Sequence, residues 1–141
     1  MTGGQEPLQT ALAAEHAAVY VYAVLGGRTS RTDSPDLYAA VRTAYETHRA
    51  RRDRLQSLVA DAGAEPVGPA AAYATPPRID SARGLRRAAA AIEHRCAATY
   101  AYVVGESTGA DREWAIGALS DAAVRSLTFG AAPSALPGVE D

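Results

Sequence analysis

The chain has no lysine and no asparagine, and only one cysteine, one methionine, one tryptophan and one phenylalanine. The single Cys96 excludes an internal disulfide, a dithiol redox pair and a cysteine-based zinc site, and its place in an apolar helical run makes it a buried, inert thiol. Charge of one sign is also lacking: a net charge of −2 creates no field to attract phosphate backbones or anionic lipid, so neither nucleic acid nor a membrane surface is expected as a partner. The first apolar run, Leu8 to Leu25, is broken by Glu15 and His16 and has no basic residue before it. It therefore fails both as a secretory signal and as a spanning helix, and a reducing cytoplasm is the expected location. No segment alternates as a strand would, and no glycine-rich phosphate loop or Ser-His-Asp order on a strand-turn-helix elbow is present. With every lysine replaced by arginine and alanine, glycine and proline abundant, the composition reads as that of a GC-rich genome rather than as a chemical requirement.

What is present is helical period. With 141 residues, 48% of them hydrophobic and 21% charged, the chain can bury one core without disulfides or a structural metal. Leu8, Leu12, Glu15, Val19 and Tyr22 follow the 4, 3, 4, 3 spacing of one helical face, and Gly26-Gly27 predict its stop, giving a first helix over 7–25. Ser34-Pro35-Asp36 predicts the start of a second over 35–62, with the stripe Val41, Ala44 or Tyr45, His48, Leu55, Leu58 or Val59, and Ala62. A third helix over 81–104 carries Leu85, Ala89, Ile92, Cys96, Thr99 and Val103. A fourth over 111–130 carries Ile116, Leu119, Ala123 and Leu127. The tail, 131–141, loses all period and is expected to be disordered.

Residues 63–79 are rich in proline, glycine and small residues and predict an extended linker. The segments AEHAAVYVYAVLGG and IEHRCAATYAYVVGES share a Glu-His pair, paired tyrosines and a terminal glycine, so the chain reads as two αα-hairpins. At roughly 3.3 Å per residue the linker reaches about 55 Å, against about 36 Å for the third helix. It can cross the length of the bundle and set helices two and three parallel. The expected fold is all-α: one four-helix bundle over residues 1–130, two hairpins joined by a long crossover.

Through AAEHAAVYVYAVLGG, AYETHRARRDRL and IEHRCAATYAY, the sequence resembles an actinobacterial ferritin-like family of unknown function over most of residues 8–130. The resemblance implies a ferritin-like bundle and carries no activity of its own. The wider superfamily includes di-iron oxidases, peroxidases and iron stores, which hold metal through a Glu on each of two helices and Glu-x-x-His on the others. Here Glu15 is followed at the third position by Ala18, Glu46 by Arg49, Glu93 by Cys96 and Glu113 by Ile116, so that signature is missing.

Glu15 lies within an apolar stripe, its repeat partner Glu93 adjoins one, and His48 faces the core of the second helix. A buried carboxylate needs a partner, which a metal, an arginine, a tyrosine hydroxyl or His48 can supply. Glu15, His48 and Glu93 are the candidate metal ligands. His16 and His94 are turned about 100° from the glutamates they follow and flank the core. Arg42, Glu46, Arg49 and Asp53 form a solvated stripe, and Asp121 with Arg125 a similar surface pair. The cluster Arg49, Arg51, Arg52 and Arg54 reads as a solvated face with an arginine reaching toward Glu15 or Glu93, or as an anion site. Tyr20, Tyr22, Tyr100 and Tyr102 read as a redox-active set or, in preference, as fillers of the bundle ends whose hydroxyls reach water or the carboxylates.

The reading is a protein with no catalytic site and no cofactor, in which a Glu, His, Tyr and Arg network replaces a metal centre. Its role is structural or partner-binding, and the apolar circumference of helices one and three suggests a homodimer or a protein partner. The alternative is a redox protein holding iron or manganese on Glu15, His48 and Glu93. A third reading is a pocket for a small ligand between the helices.

Overall fold

The computed structural model of the chain describes residues 5–139 and, among them, four helices and no strand: α1 (Glu6–Arg28), α2 (Pro35–Asp61), α3 (Ala82–Glu106) and α4 (Gly109–Thr128). The helix starts follow local chemistry. Pro35 occupies the first turn of α2, where its missing N–H costs nothing, and the Ser81 hydroxyl accepts the Gly84 N–H at 3.1 Å to cap α3. Gly63, at φ +87°, ends α2 as a left-handed residue. Gly26 and Gly27 do not end α1. Neither has a positive φ, and the helix continues through both to Arg28, where the Thr29 hydroxyl bonds the Leu25 carbonyl at 2.7 Å. Gly26 instead faces the Val41 side chain of α2.

Cross-contacts fix the topology. Gln5 meets the Ala62 carbonyl, Glu15 meets His48 and Gly26 meets Val41, so α1 and α2 are antiparallel. Glu15 meets Tyr100 while Tyr22 meets Glu93, so α1 and α3 are also antiparallel, and α2 and α3 run the same way. Helix α4 packs on α3 and closes toward α2 through Arg51–Asp121 and Arg125–Thr47. The linker makes the crossover along α1: Gln9 bonds the Glu65 carbonyl and the Val67 N–H, His16 bonds the Val67 carbonyl, and Tyr73 packs on Tyr20 at 5.2 Å. The apolar circumference of α1 is accordingly spent on α2, α3 and this strap.

The core joins Leu8, Leu12, Tyr22 and Leu25 of α1 to Leu37, Val41, Leu55 and Val59 of α2 and to Leu85, Ile92, Tyr100 and Val103 of α3. Helix α4 differs from its sequence expectation. It buries Ala115, Ala118 and Ala122, while Ile116 is 47% and Leu127 44% exposed. Small side chains let α4 approach α3 closely, and that approach, rather than residue hydrophobicity, sets its rotation. Val19 and Thr99, expected in their stripes, are only half-buried. Residues 131–139 contain no helix and lie against α3 and α4: a β-carbon on Gly138 would come within 2.4 Å of the Ala97 carbonyl oxygen. The last two residues of the tail expected to be disordered, 140 and 141, lie outside the described residues. No helix among the described residues is long and apolar enough to cross a membrane.

Candidate functional site

Three fully buried polar side chains from three helices meet at the centre of the bundle: Glu15 of α1, His48 of α2 and Glu93 of α3, each 0% exposed. These are the three candidates of the sequence. The His48 ring lies between the two carboxylates, Nδ1 at 2.6 Å from Glu15 Oε2 and Nε2 at 2.8 Å from Glu93 Oε2. Each carboxylate also accepts a tyrosine hydroxyl, Tyr100 on Glu15 Oε1 and Tyr22 on Glu93 Oε2, both at 2.6 Å. The Tyr22 ring stacks on His48 with centroids 5.3 Å apart. The hydroxyls of Tyr22 and Tyr100 reach the carboxylates as expected, but their rings are in the middle of the core and not at the bundle ends; Tyr20 is half-buried against the linker and Tyr102 is exposed.

Electrostatics follow from this enclosure. Burial alone disfavours a charged imidazole, but hydrogen bonds and charge from Glu15 and Glu93 outweigh it and raise the His48 pKa to about 9. This shift favours the imidazolium, which donates from both nitrogens. Burial, reinforced by Glu93 for Tyr22 and by Glu15 for Tyr100, pushes both phenols up and keeps them as donors. Burial and the same two carboxylates raise the Cys96 thiol.

Arginines lie around this core. Arg125 Nη1 stands 3.7 Å from Glu93 Oε1, and the Arg51 guanidinium lies over the Tyr100 ring at 5.7 Å. Both also bind Asp121, whose carboxyl is held below its usual range because Arg125 and Arg51 outweigh the effect of partial burial. Asp121–Arg125 is thus more than the surface pair the spacing predicts: it ties α4 to α2 and delivers Arg125 to Glu93. Of the arginine cluster, Arg51 turns inward, Arg52 pairs with Asp53 and Arg49 covers Tyr45. Glu46 is exposed and pairs with Arg42, as the charged stripe predicts. His16 is buried beside the core and bonds the linker, and His94 is exposed.

A metal can be tested against this donor set. Glu15, His48 and Cys96 offer ligand atoms within 4.8 Å of one another, and Cys96 was not among the sequence candidates because a lone thiol in an apolar run reads as core. Two ligands of one ion, each about 2.0–2.1 Å from it, sit about 3.3 Å apart in a tetrahedral site and about 3 Å apart at adjacent positions of an octahedral one. The Glu15–His48 separation of 2.6 Å is hydrogen-bond spacing instead. Both ring nitrogens face carboxylates within hydrogen-bond distance. As arranged, Glu15, His48 and Glu93 satisfy one another by hydrogen bonds. Arg125 was the other missing participant, hidden because i,i+4 spacing to Asp121 is fully explained by a surface pair.

A family model described as Domain of unknown function (DUF4439) matches residues 7–141. The fold is similar to the crystal structure of a conserved hypothetical protein, rv2844, from Mycobacterium tuberculosis, with a TM-score of 0.82, 30% sequence identity and 94% of each chain covered. No protein of curated function matches the chain.

Proposed function

The chain belongs to the DUF4439 family, whose description names no activity, so we propose a function from its own core: a non-catalytic bundle of ferritin-like type in which a protonated histidine takes the place of a metal. The supporting observation is the closure of the network. Both His48 nitrogens face carboxylates, Tyr22 and Tyr100 cap those carboxylates, and Glu15, His48 and Glu93 have no exposed surface. A reacting group needs access, and Glu15, His48 and Glu93 have none. What such a network supplies is register. It holds α1, α2 and α3 at one relative height, because any slip would strand a buried charge. The role that remains for the molecule is structural or protein-binding, and the large apolar side chains left exposed on α4 and the tail, Ile116, Val124, Leu127, Leu136 and Val139, form the surface it presents.

Elemental analysis tests this reading on protein purified without a metal-affinity tag, before and after aerobic loading with iron or manganese. The expected result is no stoichiometric metal under any condition. Near-stoichiometric metal, retained by the wild type and lost in Glu15→Gln, would overturn it and make oxidase and peroxidase assays the next step.

A further inference from the structure

The crossover strap does not lie flush on the helices. Between its residues Ala74–Pro77 and the α1–α3 groove is a cleft of about 300 Å³, with Val21, Ala88 and Ile92 on its floor and Ala91 at its side. The strap is pinned at both ends. Upstream, Tyr73 packs on Tyr20, and its hydroxyl accepts the Ala70 N–H. Downstream, Arg78 adopts φ 60° and its carbonyl presses on Gly84, where a β-carbon would lie 1.6 Å away. Two prolines, Pro76 and Pro77, stiffen the span between these anchors. The cleft is therefore built into the fold and needs no rearrangement to open.

Its rim is cationic. Arg87 and Arg95 both line the cleft, about 12 Å apart along α3, and Arg83 continues the same stripe one turn earlier. Neither Arg87 nor Arg95 is in an ion pair among the described residues. The only acidic residues of α3 are Glu93, buried in the core network, and Glu106 at the far end. A chain of net charge −2 thus keeps an uncompensated positive stripe beside an apolar slot. A guanidinium offers a planar fork that matches a carboxylate, and the floor offers only carbon.

We propose that this cleft binds a small amphipathic carboxylate, with its apolar body on Val21, Ala88 and Ile92 and its carboxylate against Arg87 or Arg95. The volume lies at the lower end for small-molecule sites, which sets the ligand at medium-chain or single-ring size. The site is separate from the Glu15–His48–Glu93 centre and stands or falls independently of it.

Calorimetric titration of the full chain with octanoate tests the proposal, with octanol as the neutral probe and phosphatidylglycerol vesicles as the anionic surface. Saturable octanoate binding is expected with Kd below about 1 mM, at least tenfold weaker for octanol and for Arg87→Glu/Arg95→Glu. Ala91→Trp, which fills the slot from the exposed side, is expected to abolish binding with the melting temperature unchanged. If the double charge reversal does not fold, Arg87→Gln/Arg95→Gln gives the same comparison. Octanoate binding that survives Ala91→Trp, octanol binding equal to octanoate, or no saturation up to about 10 mM would each overturn the proposal. So would vesicle adsorption that depends on the arginines in a protein that does not bind octanoate, since the stripe would then be a surface for anionic lipid.

Discussion

At the scale of single residues, the most consequential choice is a histidine charged in a fully buried position. A buried ion is tolerated when its partners are close, oppositely charged and themselves satisfied, and His48 meets all three conditions through Glu15, Glu93 and their tyrosine donors. Replacing Glu15 by Gln takes away one charged acceptor of the imidazolium and leaves it paired with Glu93 alone. Glu15→Gln is expected to cost about 2–3 kcal/mol in urea unfolding, the range of a hydrogen bond to a charged group. Tyr100→Phe, which removes one donor but leaves the ion pair, is expected to cost about 1–2 kcal/mol. Equal small losses for both would mean that the ion pair does not organise the core. The candidate site was legible here because an ionisable residue inside an apolar stripe is costly and so conspicuous: Glu15, Glu93 and His48 all stood out. Cys96 and Arg125 did not, since a thiol looks like any small apolar residue and a long arginine reaches a target that its own position does not reveal.

At the scale of elements, the contacts between helices are made by small residues and by backbone as much as by large side chains. Gly84 is the clearest case. The Arg78 carbonyl occupies the place of its missing side chain, so Gly84→Ala must displace either the linker end or the first turn of α3. A loss of roughly 2 kcal/mol or more is expected in thermal or urea unfolding, well above the usual gain of Gly→Ala within a helix. Unchanged stability would show that the linker does not close on α3 at this point. The seam between α2 and α4 relies instead on Asp121, shared by Arg51 and Arg125. Because Asp121 is 41% exposed, Asp121→Asn is expected to cost only about 0.5–1 kcal/mol, with most of that coupled to Arg51 in a double-mutant cycle. The rotation of α4 shows why such contacts escape sequence reading. Ile116, Leu119 and Leu127 on one phase and Ala115, Ala118 and Ala122 on the next are both apolar, and hydrophobic period cannot choose between them. Interhelical distance does.

At the scale of the molecule, the core network makes global stability depend on pH. The His48 pKa is raised from 6.5 to about 9, so the folded state binds its proton more tightly than the unfolded state does. The resulting stabilisation is fully present below pH 6.5 and is lost as pH rises through about 9, an effect on the order of 3 kcal/mol. Unfolding free energies measured from pH 6 to pH 10 are expected to fall across this window in the wild type and to fall much less in His48→Gln. A wild-type profile that is flat or rises from pH 6.5 to 9 would mean that the buried ring is neutral.

Helix number, the long crossover and the three central polar residues were determined by the sequence alone, because they rest on local signals: apolar period, proline and glycine punctuation, chain length against helix length, and charges where none is tolerated unpaired. The geometry by which the expected Glu, His, Tyr and Arg network closes, the choice of Arg51 and Arg125 as the inward arginines, the rotation of α4 and the cleft beneath the strap were decided only by tertiary structure. Each of these depends on distances between segments far apart in the chain. A hydrogen bond and a metal bond use the same residues and differ by less than an ångström in how far apart those residues sit.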